Sequence, residues 1–427
     1  MPAEFLPARG GGADGVMGLR GRLVTGHPGA AVIDDGTVVM AGGNIVWCGP
    51  TADLPQGFGS DFRRVPLILP GLVDVHCHGA VGHNFSADAD GARLAAGHHA
   101  SQGATSVLAS LVSAPSHVLL EQIEVLRDLV QDGTLAGLHL EGPFITTSMC
   151  GAQDPAAIID GDPALLQQWL EAGRGTVRSL TLAPETPHFA ELVQLCRDHG
   201  VVPSLGHTAA TASRTREVLS GANGGVGGPW SATHLFNRMP PLGHRTPGPI
   251  AVLLQAAEES PGQMVLELIA DGVHLDPEIV RMVFGLVGPR SIALITDAMA
   301  AAGMSDGHYT LGSLDVLVQD RVARLAGTAD AGPDAGPGAI AGATSHLLEN
   351  VRRCVDWGVP LADAVVAASS TPARLMGLDR GAARVGAIAA GCRADVLVTT
   401  EELELVQAYR AGTPQTQERN DRADSSV

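Results

Sequence analysis

Eight short β-rich runs, each followed by a longer amphipathic stretch, constrain the fold of this chain more than any other feature. The runs are Leu67–Val75, Thr105–Val112, Ala136–Leu140, Val177–Leu182, Val201–Leu205, Ser231–Leu235, Met264–Ala270 and Ser291–Thr296. Between them lie helical patterns such as His117–Gln131, Pro163–Ala172, His188–His199 and Pro277–Val287. Parallel strands need a long crossover, and a helix is the usual one. Eight strand-helix repeats therefore predict an α/β fold, a closed parallel (β/α)8 TIM barrel.

The flanks read differently. Leu19–Thr25, Ala31–Ile33, Thr37–Ala41 and Asn44–Cys48 are short strands with turn punctuation, and Val385–Gly391 and Ala394–Thr399 return to that character. The expectation is a small β-sandwich domain built from both chain ends, residues 17–66 plus 380–412, around a barrel spanning 67–379. The Gly/Pro-rich tract Gly327–Gly342 reads as a loop, Thr344 to Leu378 as helix-rich, and residues 413–427 as a polar, frayed tail.

Composition excludes several function classes. A net charge of −18 over 427 residues argues against nucleic acid or an anionic membrane as partner. Apolar stretches are broken well before spanning length, and no signal-peptide core is evident. The six cysteines are scattered, which suits reduced thiols in the cytoplasm. No lysine occurs, so Schiff-base catalysis, a carboxylated lysine bridging metals and a phosphate-loop lysine are all excluded.

Reactive residues cluster at the ends of the predicted strands. His76 and His78 close the first, in Pro-Gly-Leu-Val-Asp-Val-His-Cys-His-Gly, and strand alternation points both the same way. Glu141 follows the third, His207 the fifth, His234 the sixth, His274 the seventh and Asp297 the eighth. One His-x-His pair is a weak motif. Seven such residues on the active face of one barrel are not. Imidazoles with one carboxylate suit Zn²⁺ or Fe²⁺ better than Mg²⁺ or Ca²⁺. Such a cation acidifies water and polarises a carbonyl, and an aspartate beside it can carry the proton to a leaving amine. The residues point to a metal-assisted hydrolase of an amide-like bond. His98 and His99 read as surface residues of a helix, His139 as packing beside Glu141, and Cys150 as a thiol in an active-site loop.

The motifs His-Leu-Glu-Gly-Pro-Phe, Gly-His-Thr, Thr-His-Leu-Phe-Asn, Asp-Gly-Val-His and Thr-Asp-Ala-Met-Ala-Ala-Ala-Gly join the first one in order and spacing. Together, from about residue 17 to 412, the chain resembles the N-acetylglucosamine-6-phosphate deacetylases of the amidohydrolase superfamily. The resemblance implies hydrolysis of N-acetylglucosamine 6-phosphate to glucosamine 6-phosphate and acetate. It implies Glu141, His207 and His234 as metal ligands, with Glu141 doing the work of the carboxylated lysine of other relatives. It implies His76 and His78 as ligands of a second ion and Asp297 as the catalytic acid and base. One or two divalent ions per subunit are expected, Zn²⁺ first, with Fe, Co, Mn or Cd as alternatives. Asn237, Arg245 and His274 match substrate contacts, with Arg245 reaching the phosphate across a homodimer interface.

Two positions depart from the family pattern. Gln153 stands where many members carry a histidine, and Arg238 stands where the residue is usually small. Both are candidate substrate contacts. They leave open a preference for the galactosamine epimer or another N-acylated amine. A non-catalytic scaffold predicts missing ligands, whereas every ligand position here is filled.

Overall fold

The computed structural model describes residues 16–58, 62–86, 88–220, 228–326 and 338–416. Eight parallel strands form one sheet in sequence order. They are β1 (Val73–Cys77), β2 (Ser106–Val112), β3 (Gly137–Glu141), β4 (Val177–Leu182), β5 (Val202–Leu205), β6 (Trp230–Ala232), β7 (Met264–Ile269) and β8 (Ile292–Ile295). The return helices start where the sequence caps them. Asp162 and Asp276 accept first-turn backbone N–H groups, and Pro163 and Pro277 occupy the opening turn of helices Pro163–Gly173 and Pro277–Val287. Helix Ser116–Gln131 buries Leu119, Ile123, Leu126 and Leu129, a stripe at three- and four-residue spacing that packs on the barrel.

β8 and β1 are the two ends of that sheet order, and they meet through single hydrogen bonds rather than a ladder. Asp297 N donates to His76 O at 2.9 Å, and His78 N donates to Ala298 O at 2.7 Å. Beneath them Thr296 Oγ1 donates to Asp74 Oδ2 at 2.6 Å. Burial pushes the Asp74 carboxyl up to about 6, against the pull of Thr296. This seam sets His76, His78 and Asp297 side by side.

Inside the barrel a polar chain links strands that are not neighbours. Ser110 Oγ meets His139 Nδ1 at 2.9 Å, and His139 Nε2 meets Thr181 Oγ1 at 2.8 Å. Thr181 Oγ1 then meets Thr233 Oγ1 at 2.8 Å, and Thr233 meets Ser204 Oγ at 2.6 Å. Bonds from β4 to the end of β6 can only cross the interior, so this layer forms a hydrogen-bonded floor beneath the strand ends.

The small β-domain is one seven-stranded sheet with strands from both chain ends. Arg63–Pro70 pairs antiparallel with Val396–Thr399, joining the two contributions. Leu19, Val38 and Ile68 share a core with Val396, Val398 and Tyr409. Neither chain end could bury this surface alone.

Two expectations need correction, and one element was not foreseen. The run Leu67–Val75 is two elements. Its first part belongs to the small-domain strand Arg63–Pro70, and the barrel begins at Val73. Adjacent apolar strands merge in a pattern reading, and the Pro70-Gly71 break was the missed signal. The tail is not frayed from residue 413, because Thr413–Gln415 pairs with Leu405–Arg410 at the sheet edge; residues 417–427 lie outside the described ones. Of the Gly327–Gly342 loop, residues 327–337 also lie outside. Before it stands an unexpected antiparallel sheet, Gly307–Leu311, Leu314–Gln319 and Val322–Leu325, whose alternation of buried Val316 and Val318 with exposed neighbours was legible. Among the described residues no helix is long and apolar enough to cross a membrane.

Candidate metal centre and active-site cleft

Glu141 ends β3 between two pairs of histidines. Its Oε1 lies 2.9 Å from His207 Nε2 and 3.1 Å from His234 Nε2. Its Oε2 lies 3.2 Å from His78 Nε2, while His76 Nε2 lies 3.6 Å from Oε1. The donor atoms of Glu141, His207 and His234 fall within 4.8 Å of one another, as do those of His76, His78 and Glu141. Asp297 Oδ1 completes the group, 3.2 Å from His78 Nε2 and 3.4 Å from His76 Nε2.

The far nitrogens test whether this set fits a cation. His207 Nδ1 faces Met149 O at 2.9 Å, His78 Nδ1 faces Ser110 O at 3.2 Å and His76 Nδ1 faces Glu267 Oε2 at 3.1 Å. In the neutral tautomer with its proton on the Nδ1 that faces an acceptor, each of these rings would present a lone pair at Nε2. The lone pairs converge, His76 on His78 at 3.3 Å and His207 on His234 at 3.1 Å, with carboxylate oxygens among them. Such contacts repel unless positive charge sits between them. A divalent cation supplies that charge, and three imidazoles oriented by acceptors behind them are what its ligands need. Protons are the competing charge. Burial opposes protonation of His78, but Asp297 and Glu141 overcome it and raise that ring to about 9. Burial would raise Asp297, yet His76 and His78 hold it down at about 2. Glu141 is likewise held well below the usual range, burial being outweighed by the surrounding histidines.

Backbone strain marks the same residues. His207, His234 and Asp297 have φ of 47°, 29° and 52°, a region that residues with a Cβ rarely enter. Each lies just past a strand end, where the chain turns to aim a side chain over the barrel mouth. Gly206 precedes His207 because a Cβ there would sit 2.7 Å from Thr233 Cβ.

Above the donors lies a cleft of about 210 Å³ bordered by His78, Glu141, Gln153, His207, His234, Asn237, Arg238, His274 and Asp297. Leu311 and Ile340 add an apolar wall from the sheet that the sequence reading missed and the segment after it. Gln153 is pulled inward. Its Nε2 donates to Glu141 Oε2 at 2.7 Å, and its Oε1 accepts from Ser113 N at 2.6 Å. His274 is held by Asp271, whose Oδ2 faces Nδ1 at 2.8 Å and whose Oδ1 accepts the backbone N–H of His274 at 2.8 Å. Arg238, with φ of 53°, lies against Gly151, where any Cβ would meet its Nε at 2.5 Å. Arg245 is exposed and does not border the cleft in its own chain. Cys150 does not line it either. A larger cavity of about 570 Å³, lined in part by Ser101, His346, Arg352 and Leu405, contains none of the converging donors.

The other histidines are more engaged than the sequence suggested. His99 is fully buried, with Nε2 3.1 Å from Cys77 Sγ and 3.0 Å from Gly79 O, so it braces the residues around His78. His98 Nε2 meets His346 Nε2 at 2.8 Å. Two partners were not assigned from the sequence, Glu267 behind His76, which stood in no motif, and Asp271 behind His274, which stood in one without a role. A lone acid within the apolar run of β7 was the available signal for the first.

Residues 67–416 match the Amidohydrolase family. The chain belongs to the amidohydrolase family. That family is metal-dependent, in keeping with the donor set. The chain is 32% identical over 357 residues to the N-acetylglucosamine-6-phosphate deacetylase of Bos taurus, covering 81% of this chain and 82% of that protein. It is 33% identical to the N-acetylgalactosamine-6-phosphate deacetylase of Escherichia coli O157:H7, covering 82% and 88% respectively. A mutant N-acetyl-D-glucosamine-6-phosphate deacetylase from Mycobacterium smegmatis, solved in complex with N-acetyl-D-glucosamine-6-phosphate, superimposes with a TM-score of 0.83 at 36% identity. That match covers 94% of this chain and 99% of the other. The resemblance drawn from the motifs therefore extends through the whole fold.

Proposed function

We propose that this protein hydrolyses the acetamide of N-acetylglucosamine 6-phosphate, giving glucosamine 6-phosphate and acetate. The observation that carries the reading is Asp297, a buried carboxylate touching the converged histidines at the head of the cleft. Likeness over nearly full length to a deacetylase solved with that sugar phosphate supports the substrate.

Glu141, His207 and His234 would hold the principal divalent cation, and His76 and His78, with Glu141, would hold a second. Zinc suits the nitrogen-rich set best, ahead of iron, cobalt, manganese or cadmium. When bound, the cation polarises the amide carbonyl and makes water more acidic. Asp297, a buried carboxylate beside both rings, takes the proton of the attacking water. As the C–N bond breaks, it returns that proton to the amine, so acetate and a free amine leave. Gln153 holds Glu141 Oε2, which faces His78, while Oε1 faces His207 and His234.

Asn237, Gln153, Arg238 and His274 contact the sugar phosphate from the same chain. Arg245, exposed and away from its own cleft, reaches the phosphate of a partner's substrate in a homodimer; a guanidinium matches phosphate geometry. The protein works in the cytoplasm, where sugar phosphates are found and its six thiols stay reduced.

The test is acetate release from the 6-phosphates of N-acetylglucosamine and N-acetylgalactosamine with zinc-loaded protein. Turnover of the gluco epimer with the higher kcat/KM is expected. A higher value for the galacto epimer moves the assignment to that sugar, and no release from either sinks the deacetylase reading.

A further inference from the structure

Glu267 is a buried acid that the chemistry above leaves unused. It is the single charged residue of β7, among Met264, Val265, Leu266, Leu268 and Ile269, and only 1% of it is exposed. An unpaired carboxylate in such a place is costly, so its bonds matter. Oε2 faces His76 Nδ1 at 3.1 Å and accepts the backbone N–H of His234 at 3.3 Å. Oε1 accepts from Ser231 Oγ at 3.1 Å. One carboxylate thus touches a ring from one half of the metal centre and the backbone of a ligand from the other.

We propose that Glu267 is a positioning residue that makes the His76/His78 pair competent to hold a second divalent cation. The proposal rests on the reading that this pair binds such a cation. An acceptor behind Nδ1 fixes both the ring and its proton, leaving the Nε2 lone pair aimed at the cation. His78 and His207 have neutral carbonyl oxygens in that role, from Ser110 and Met149. His76 alone among the three has a carboxylate, whose charge strengthens Nε2 as a donor. Glu267 therefore acts on the His76/His78 half. The other half is tied to it only through the His234 backbone.

Two substitutions test this on the full-length protein. In Glu267→Gln the amide can turn its oxygen toward His76 and its nitrogen toward Ser231, so the shape survives and the charge is lost. Glu267→Met removes charge and acceptor together. Zinc content after dialysis and cobalt(II) titration followed by visible absorption count and rank the bound ions, with His76→Gln as the reference for loss of the second. Wild type is expected to hold two ions. Glu267→Gln should weaken one by about 10–100-fold, and Glu267→Met should lose it, while the Glu141/His207/His234 ion stays in both. Thermal unfolding in chelator shows whether either variant is merely less stable; should the Met variant not fold, the Gln variant decides. Two ions at wild-type affinity in Glu267→Gln overturn the role of Glu267. A wild type that binds one ion, unaffected by His76→Gln, overturns the second-ion reading and this proposal with it.

Discussion

The two halves of the candidate metal centre share Glu141 but are built differently. His207 and His234 stand on strained, left-handed backbone beyond their strands, and the Nδ1 of His234 has no hydrogen-bond partner among the described residues. His76 and His78 come from the end of the first strand, past a register shift between Asp74 and Cys77, and the residue after it, and their rings are oriented from behind by Glu267 and the Ser110 carbonyl. The first half combines strained backbone with one acceptor, Met149 O behind His207, whereas the second has an acceptor behind each ring. Asp297 leans on the second half, at 3.4 and 3.2 Å from its rings. The half whose two rings are both held from behind thus touches Asp297, the proposed proton carrier.

The shared ligand offers the largest effect. Glu141→Gln should remove both ions from dialysed protein and cut turnover by about a thousandfold or more, the scale of several kcal/mol of Lewis-acid stabilisation. Retention of two ions would show that the halves do not depend on a common carboxylate. Asp297→Asn comes next. It should lower kcat by about 10²–10⁴-fold with ion content unchanged, which separates proton transfer from metal binding. His207→Ala against His76→Gln sharpens the comparison itself. The first should lose most activity and the second a smaller part, and equal losses would make both ions essential.

Away from the centre the effects shrink. Asp271→Asn weakens the hold on His274 and should raise KM about tenfold while leaving kcat within a few-fold, the loss of one charge-assisted hydrogen bond. The smallest effect concerns stability. Burial, then the neighbouring His346, lowers His98 to about 4 from its ordinary 6.5. Between those values the unfolded chain binds more protons, so the contribution of His98 to stability is present at neutral pH and is lost as pH falls from about 6.5 to 4. Melting temperatures of His98→Asn should fall less steeply than wild type across that window.

Much of this was legible in the sequence because barrels place chemistry at strand ends. His76, His78, Glu141, His207, His234, His274 and Asp297 each follow or close an apolar run, so the pattern that locates strands also locates the site. Gln153 was legible as a position but not as a contact, since only the folded loop after β3 brings its amide to Glu141. Glu267 and Asp271 were not legible as partners, because what makes them matter is a ring delivered by another strand or by a turn in the chain. The sheet at 307–325 was overlooked beside its Gly/Pro-rich neighbour, although its alternation was plain.

The sequence by itself determined the eightfold repeat, the paired contribution of both ends to a small domain, and the inventory of donors. Hydrophobic periodicity and residue chemistry are local properties, readable without coordinates. Tertiary structure decided which oxygen of Glu141 serves which histidines, which nitrogen of His76, His78 and His207 faces an acceptor, and that the first and last strands meet without a ladder at the seam where Asp297 touches His76 and His78. Those choices depend on distances between residues far apart in the chain, and only closure of the barrel sets them.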